Sequence, residues 1–147
     1  MTLSNERGSA LIITLMLLLI LTAIGIYAIS ISTTEMSIAL QSKTGTATMN
    51  AAEAGVAFGI DNIPNTIPSP GYIGNLPGYI GTLTGSGAYQ VTVRATPIFT
   101  PQPGYGANFM FQDFNVDGTG TAQPGFVGTK GIAAVVSYGP QPIGTMY

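Results

Sequence analysis

The stretch ALIITLMLLLILTAIGIYAISI, residues 10–31, decides how this chain is read. A helix needs roughly 20 apolar residues to cross a bilayer, and this run has that length. No charged residue stands between Arg7 and Glu35. A secretory signal has a shorter apolar region of about 7–15 residues, a clearly basic leader and a small-residue cleavage site behind it. Here the leader carries a single Arg and the pattern does not break after Ile31. Ser30 to Ile60 has no proline and is rich in Ala, Met, Ser and Thr. One helix over residues 9–60 is predicted, on the order of 75–80 Å long at 1.5 Å per residue. Gly25 and Gly45 are its expected weak points. Ile31, Ile38, Ala39, Ala52, Val56 and Ile60 form a discontinuous stripe along the second half, and its small residues permit close helix approach.

The rest of the chain has a different character. All ten prolines fall at Pro64 or later, so a proline-free front is followed by a Gly/Pro/Thr-rich back. With 147 residues in total, the chain has room for one modest domain beside the helix. The net charge is −2, and Arg7, Lys43, Arg94 and Lys130 are scattered, which argues against nucleic acid as a partner. Cys and His are both absent, which removes disulfides and the commonest transition-metal ligands. The same absence leaves no catalytic set: the acids beyond the helix are Asp61, Asp113 and Asp117, and no motif supplies a nucleophile with its base. The chain is expected not to be an enzyme.

Three features in order carry a family resemblance. They are the short leader ending Glu6-Arg7-Gly8 before Ser9-Ala10-Leu11, the run LLLILTAIGIYAISISTTEM at residues 17–36, and the box AAEAG at residues 51–55. Together they resemble the N-terminal region of PilX-type minor pilins, within the type IV pilins, over about the first 60 residues. The resemblance implies cleavage by a prepilin peptidase between Gly8 and Ser9, with methylation of the new N-terminus. It also implies helix packing through Leu11, Leu15, Leu18, Thr22 and Gly25, with Glu35 and Glu53 further along. For the two glutamates, solvent-facing or inter-helix polar positions are the plain reading, and a role in subunit register is the sharper one. Two residues depart from the major-pilin pattern. Ser9 stands where Phe usually begins the mature chain, and Ile13 stands where a Glu usually docks a neighbouring subunit. Minor pilins and some pseudopilins also lack that Glu.

Residues 61–87, DNIPNTIPSPGYIGNLPGYIGTLTGSG, read as a connecting loop containing a tandem heptad. Its copies are PGYIGNL at Pro70–Leu76 and PGYIGTL at Pro77–Leu83, with a partial copy, PGYG, at Pro103. Pro-Gly suits the centre of a type II turn, so two successive turns are expected to present Tyr72 and Tyr79 alike, with Ile73 and Ile80 alongside. These four residues either lie over the head as an ordinary lid or form a contact between subunits.

Residues 88–147 form the expected head and tail. Period-two alternation marks strands at Ala88–Ala95, Phe109–Thr121 and Gly131–Tyr138, with a bulge near Gln112 or Asp113. The tail from Gly139 is not expected to be regular, because of Pro140 and Pro142. Asp113, Asn115 and Asp117 match the first half of an EF-hand calcium loop, although position 12 would be Pro124 instead of Glu. They read equally as the polar face of a half-buried strand. Apart from this candidate Ca²⁺, no cofactor is expected.

The expected architecture is α+β and pilin-like. A leader (1–8) precedes a long N-terminal helix (9–60), whose C-terminal half packs on a small three- or four-stranded antiparallel sheet. The expected function is a subunit of a type IV pilus-like extracellular filament. It would be held in the inner membrane before assembly, head in the periplasm, and would self-associate with other pilins afterwards, using the prepilin peptidase and pilus assembly machinery. A pseudopilin of a type II secretion system and an uncleaved single-pass membrane protein with a small binding head are the alternatives.

Overall fold

The computed structural model describes residues 4–85, 87–106 and 108–142. One helix, α1 (Ser4–Thr66), is followed by β1 (Gly74–Asn75), β2 (Tyr79–Leu83), β3 (Gly87–Thr100), β4 (Phe109–Thr121) and β5 (Thr129–Pro142). The chain divides into two compact units between Ser42 and Lys43. The first holds the apolar part of α1 and the second holds the rest of α1 with the sheet.

α1 is continuous through Gly25 and Gly45, as the single predicted helix requires. A single glycine costs about 1 kcal/mol relative to Ala inside a helix, too little to interrupt a long hydrogen-bonded ladder. The helix also runs past Ile60 and contains Pro64 near its end. Pro64 removes one ladder bond, the donor to Ile60 O, and the helix ends two residues later, so the loss is confined to its last turns. Side chains add bonds in the same turns: Asn62 Nδ2 donates to Phe58 O at 2.9 Å, and Thr66 Oγ1 donates to Asn62 O at 2.8 Å.

The sheet is antiparallel and has five strands instead of three or four. Its order is β1–β3–β4–β5, and β2 pairs with β3 on the same edge as β1. The additional strands come from the tandem repeat, where sequence reading placed only turns. β5 extends to Pro142, with Gln141 opposite Met110 and Pro142 opposite Phe109, so part of the expected irregular tail is strand. Proline is compatible with an edge strand, where one side of the backbone needs no ladder donor. Residues 143–147 of that tail lie outside the described residues. The register of β4 on β5 shifts between Met110 and Gln112, close to the expected bulge. A second shift, between Ala95 and Phe99 of β3, contains Pro97.

The core lies between residues 48–63 of α1 and one face of the sheet. Val91, Val93, Phe114 and Val116 are buried from the sheet side, and Ala51, Ala52, Val56 and Ile63 from the helix side. Glycines set the spacing. A Cβ on Gly120 would lie 2.2 Å from Thr48 O and 2.6 Å from Ala52 N, so helix backbone rests directly on strand backbone. A Cβ on Gly59 would meet Val91 Cγ2 at 2.7 Å and Val116 Cγ1 at 3.0 Å. The AAEAG box thus has a packing role: Ala51, Ala52 and Gly55 are buried, while Glu53 is exposed.

Candidate functional site

Two regions carry the residues singled out from sequence, and the first is the apolar part of α1. Its large side chains are exposed: Leu11 is 69% exposed, Leu15 63% and Leu18 66%. Among the described residues, this is the one helix long and apolar enough to cross a membrane. Its threonine hydroxyls are turned back on the helix, a geometry suited to apolar surroundings because it satisfies those donors within the chain. Thr14 Oγ1 donates to Leu11 O at 2.9 Å, and Thr22 Oγ1 donates to Leu18 O at 2.6 Å.

Leu18, Thr22 and Gly25 line one shallow apolar groove, joined by Thr14, Leu21 and Ile29. Leu11 and Leu15 are not among its lining residues. Sequence reading missed Thr14, Leu21 and Ile29, although their spacing from Gly25 follows the same helical face. The floor at Gly25 is open, with nothing within 4 Å of the position a Cβ would take. Gly8 and Ser9 are exposed and lie within α1, and Glu35 is exposed further along.

The second region is the repeat loop, whose two copies adopt different structures. In the first, Tyr72 N–H donates to Ser69 O at 3.2 Å and Gly71 has φ +78°, so Ser69–Tyr72 forms the expected Pro-Gly turn. The second copy does not turn. Gly78 is absent from the positive-φ glycines, and the chain enters β2 at Tyr79. The physical cause is the edge of β3: Leu76 N–H donates to Val93 O at 2.8 Å, and Tyr79 stands opposite Val91. Pairing on both sides of Pro77-Gly78 holds the segment extended. The turn recurs elsewhere: Tyr105 N–H donates to Gln102 O at 3.4 Å across Pro103-Gly104, and Phe126 N–H to Gln123 O at 3.0 Å across Pro124-Gly125.

Tyr72 and Tyr79 are half-buried against the core, and Ile73 and Ile80 are exposed. The tyrosines thus behave as a lid and the isoleucines as surface. Tyr79 meets the Phe58 ring edge-on at 5.2 Å. The first turn is pinned by two glutamines that the sequence did not single out. Gln112, fully buried, donates from Nε2 to Tyr72 O at 2.6 Å and to Thr96 O at 2.9 Å. Gln141 Oε1 accepts from Gly71 N–H at 3.1 Å. A glutamine inside a strand gives no sequence signal for this role, since it reads as an ordinary polar position.

Asp113, Asn115 and Asp117 alternate along β4 on the face away from α1, with Phe114 and Val116 buried between them. Extended backbone separates alternate residues by about 6.8 Å, which spreads the three side chains instead of folding them round one ion. Asp113 accepts a hydrogen bond from Ser137 Oγ, and Arg94 of β3 stands opposite Asn115 in the register. Among the described residues, no three His, Cys, Asp or Glu side chains gather so as to hold a metal ion.

No curated protein and no solved structure matches the chain. A protein family described as PilX N-terminal does match, over residues 7–57. That span covers Arg7 and Gly8, the uncharged run of α1 and the AAEAG box, so the front of this chain is similar to the N-terminal region of PilX-type minor pilins.

Proposed function

We propose that this chain is a structural subunit of a type IV pilus-like filament. Its apolar helix sits in the inner membrane before assembly, with the head in the periplasm, and packs against the helices of other pilins afterwards. The observation that carries this reading is the exposed, uncharged face from Leu11 to Ile29, in a region of PilX type. A buried Leu or Ile is worth about 1.5–3 kcal/mol relative to an exposed one, so such a face strongly favours lipid or other helices over water. The groove at Gly25 supports helix packing, because a residue without Cβ lets a second backbone approach closely. Register then comes from side-chain packing, since Ile13 stands where major pilins use a Glu. In the same reading, prepilin peptidase removes residues 1–8 and Ser9 becomes the methylated N-terminus. Structural and not catalytic work fits the absence of Cys and His.

Intact mass of the chain in sheared fibres tests this directly. The expected form begins at Ser9 and carries a methyl group. A chain that keeps residues 1–8 and never leaves the membrane would overturn the reading in favour of an uncleaved membrane protein. A processed chain that stays out of fibres would point instead to a pseudopilin.

A further inference from the structure

Gln112, the anchor of the repeat loop, sits where the sheet loses its regularity on both flanks. The pairing of β3 with β4 shifts between Ala95 and Phe99, and that of β4 with β5 shifts between Met110 and Gln112. Side chains meet backbone there in place of an unbroken ladder. Thr96 Oγ1 donates to Asp113 O at 2.7 Å, and Gln112 Nε2 donates to both Tyr72 O and Thr96 O. Those two bonds use both protons of the amide nitrogen. They also fix which way the amide points, since the reversed group would set its oxygen against two carbonyl oxygens. The remaining polar atom is Oε1. It is buried, and among the described residues it has no hydrogen-bond partner.

A buried amide oxygen without a donor destabilises a fold, and native proteins satisfy such an atom with a protein group or an ordered water. The charged donors of the head are elsewhere. Arg94 alternates with buried Val93 and Ala95, which puts it on the opposite face of the sheet. Lys130 stands opposite Gly120 at the other end of β4, and Lys43 precedes Thr48, whose carbonyl seats on that same glycine. The backbone donors of the turn are already engaged: Gly71 N–H by Gln141 Oε1 and Tyr72 N–H by Ser69 O. We propose that Gln112 Oε1 holds one internal water. The water donates one proton to Oε1 and the other to Tyr72 O or Thr96 O, each of which uses only one of its two lone pairs on Nε2. Three acceptor oxygens around one amide call for an uncharged ligand with two protons, and a buried water of this kind commonly makes about three bonds. The water then joins the repeat loop at Tyr72, β3 at Thr96 and β4 at Gln112 in one network. The first Pro-Gly turn is thus held by a hydrated polar centre, whereas the second Pro-Gly is held by strand pairing. The site lies wholly within the head, so it is independent of filament assembly.

Solution NMR of the full-length chain in micelles, labelled at glutamine nitrogen, reads this water at the Gln112 side-chain amide. A long-lived bound water gives cross peaks of opposite sign in laboratory-frame and rotating-frame Overhauser spectra, whereas proton exchange with bulk solvent gives the same sign in both. Gln112 is expected to show the opposite-sign pair. Gln90, exposed on β3, is the control and is expected to show exchange alone. Loss of the water cross peak at a resolved Gln112 amide would overturn the proposal. So would same-sign peaks like those of Gln90, because the amide would then be open to bulk solvent. A cross peak to a protein hydroxyl in place of water would overturn it as well, since that group would be the donor to Oε1.

Discussion

Two stretches of α1 share a conformation but have opposite surroundings. Residues 11–29 are mostly large and apolar, and the large side chains among them are at least half exposed. Residues 48–63 contain Thr48, Ala51, Ala52, Gly55, Val56 and Gly59, and these six are buried against the sheet. The more hydrophobic stretch is the uncovered one. Burial within this chain follows from how closely two backbones can approach, and Gly118 and Gly120 on β4 make that approach possible. Leu-rich helix surface is suited to lipid or to other helices, whereas Ala/Gly surface is suited to one shaped partner already in the chain.

The largest effect should come from filling that close approach. Gly120→Val would drive side-chain atoms into the Thr48 carbonyl, with no flexible neighbour to yield. Overpacking usually costs about 1–3 kcal/mol, and this site should exceed that range because the obstacle is backbone. Circular dichroism melting should show a head that unfolds far below the parent temperature, or never folds. Parent-like melting would mean that helix and sheet do not seat through these glycines.

A smaller loss is expected at the buried polar anchor of the repeat loop. Gln112→Leu would leave Tyr72 O and Thr96 O without their shared donor, a cost of about 1–3 kcal/mol in chemical denaturation. Faster proteolysis should appear first in the 67–78 segment. An unchanged cleavage pattern would show that Gln112 stabilises the sheet but does not hold the loop.

The two repeat copies provide a finer comparison. Gly71→Ala forces a side chain to φ +78°, a change expected to cost about 1 kcal/mol. Equal stability of parent and variant would show that the first copy does not need its turn.

The smallest stability effect is expected on the uncovered stretch. Leu18→Ala should alter the melting of the detergent-solubilised head by no more than about 0.5 kcal/mol, since no packing within the chain is lost. The same change should clearly reduce incorporation into fibres, measured by quantifying the chain in sheared material. A large stability loss without an assembly defect would reverse the contrast between the two stretches.

Much of this was legible because periodicity is a local property. The uncharged run after Arg7, the AAEAG box and the alternation of Val91 with Val93, Phe114 with Val116, and Ile132 with Ala134 and Val136 gave the long helix, the family region and three strands. The repeat loop was not legible in the same way. Identical PGYIG segments formed a turn at Pro70-Gly71 and an extended entry into β2 at Pro77-Gly78, because only the second Pro-Gly has β3 pairing on both sides. Local propensity cannot distinguish identical sequences. The Asp113–Asp117 row had the same difficulty: carboxylate spacing fits both a loop and a strand, and pairing with Arg94 and Ser137 on neighbouring strands decided for the strand.

By itself, then, the sequence determined which surface is suited to leave water, since an uncharged apolar run of that length fits the thickness of a bilayer. Tertiary structure decided which part of the same helix the chain covers for itself. That choice depends on glycines in β4, about 60 residues further along the chain, whose missing side chains matter only once helix and strand are brought together.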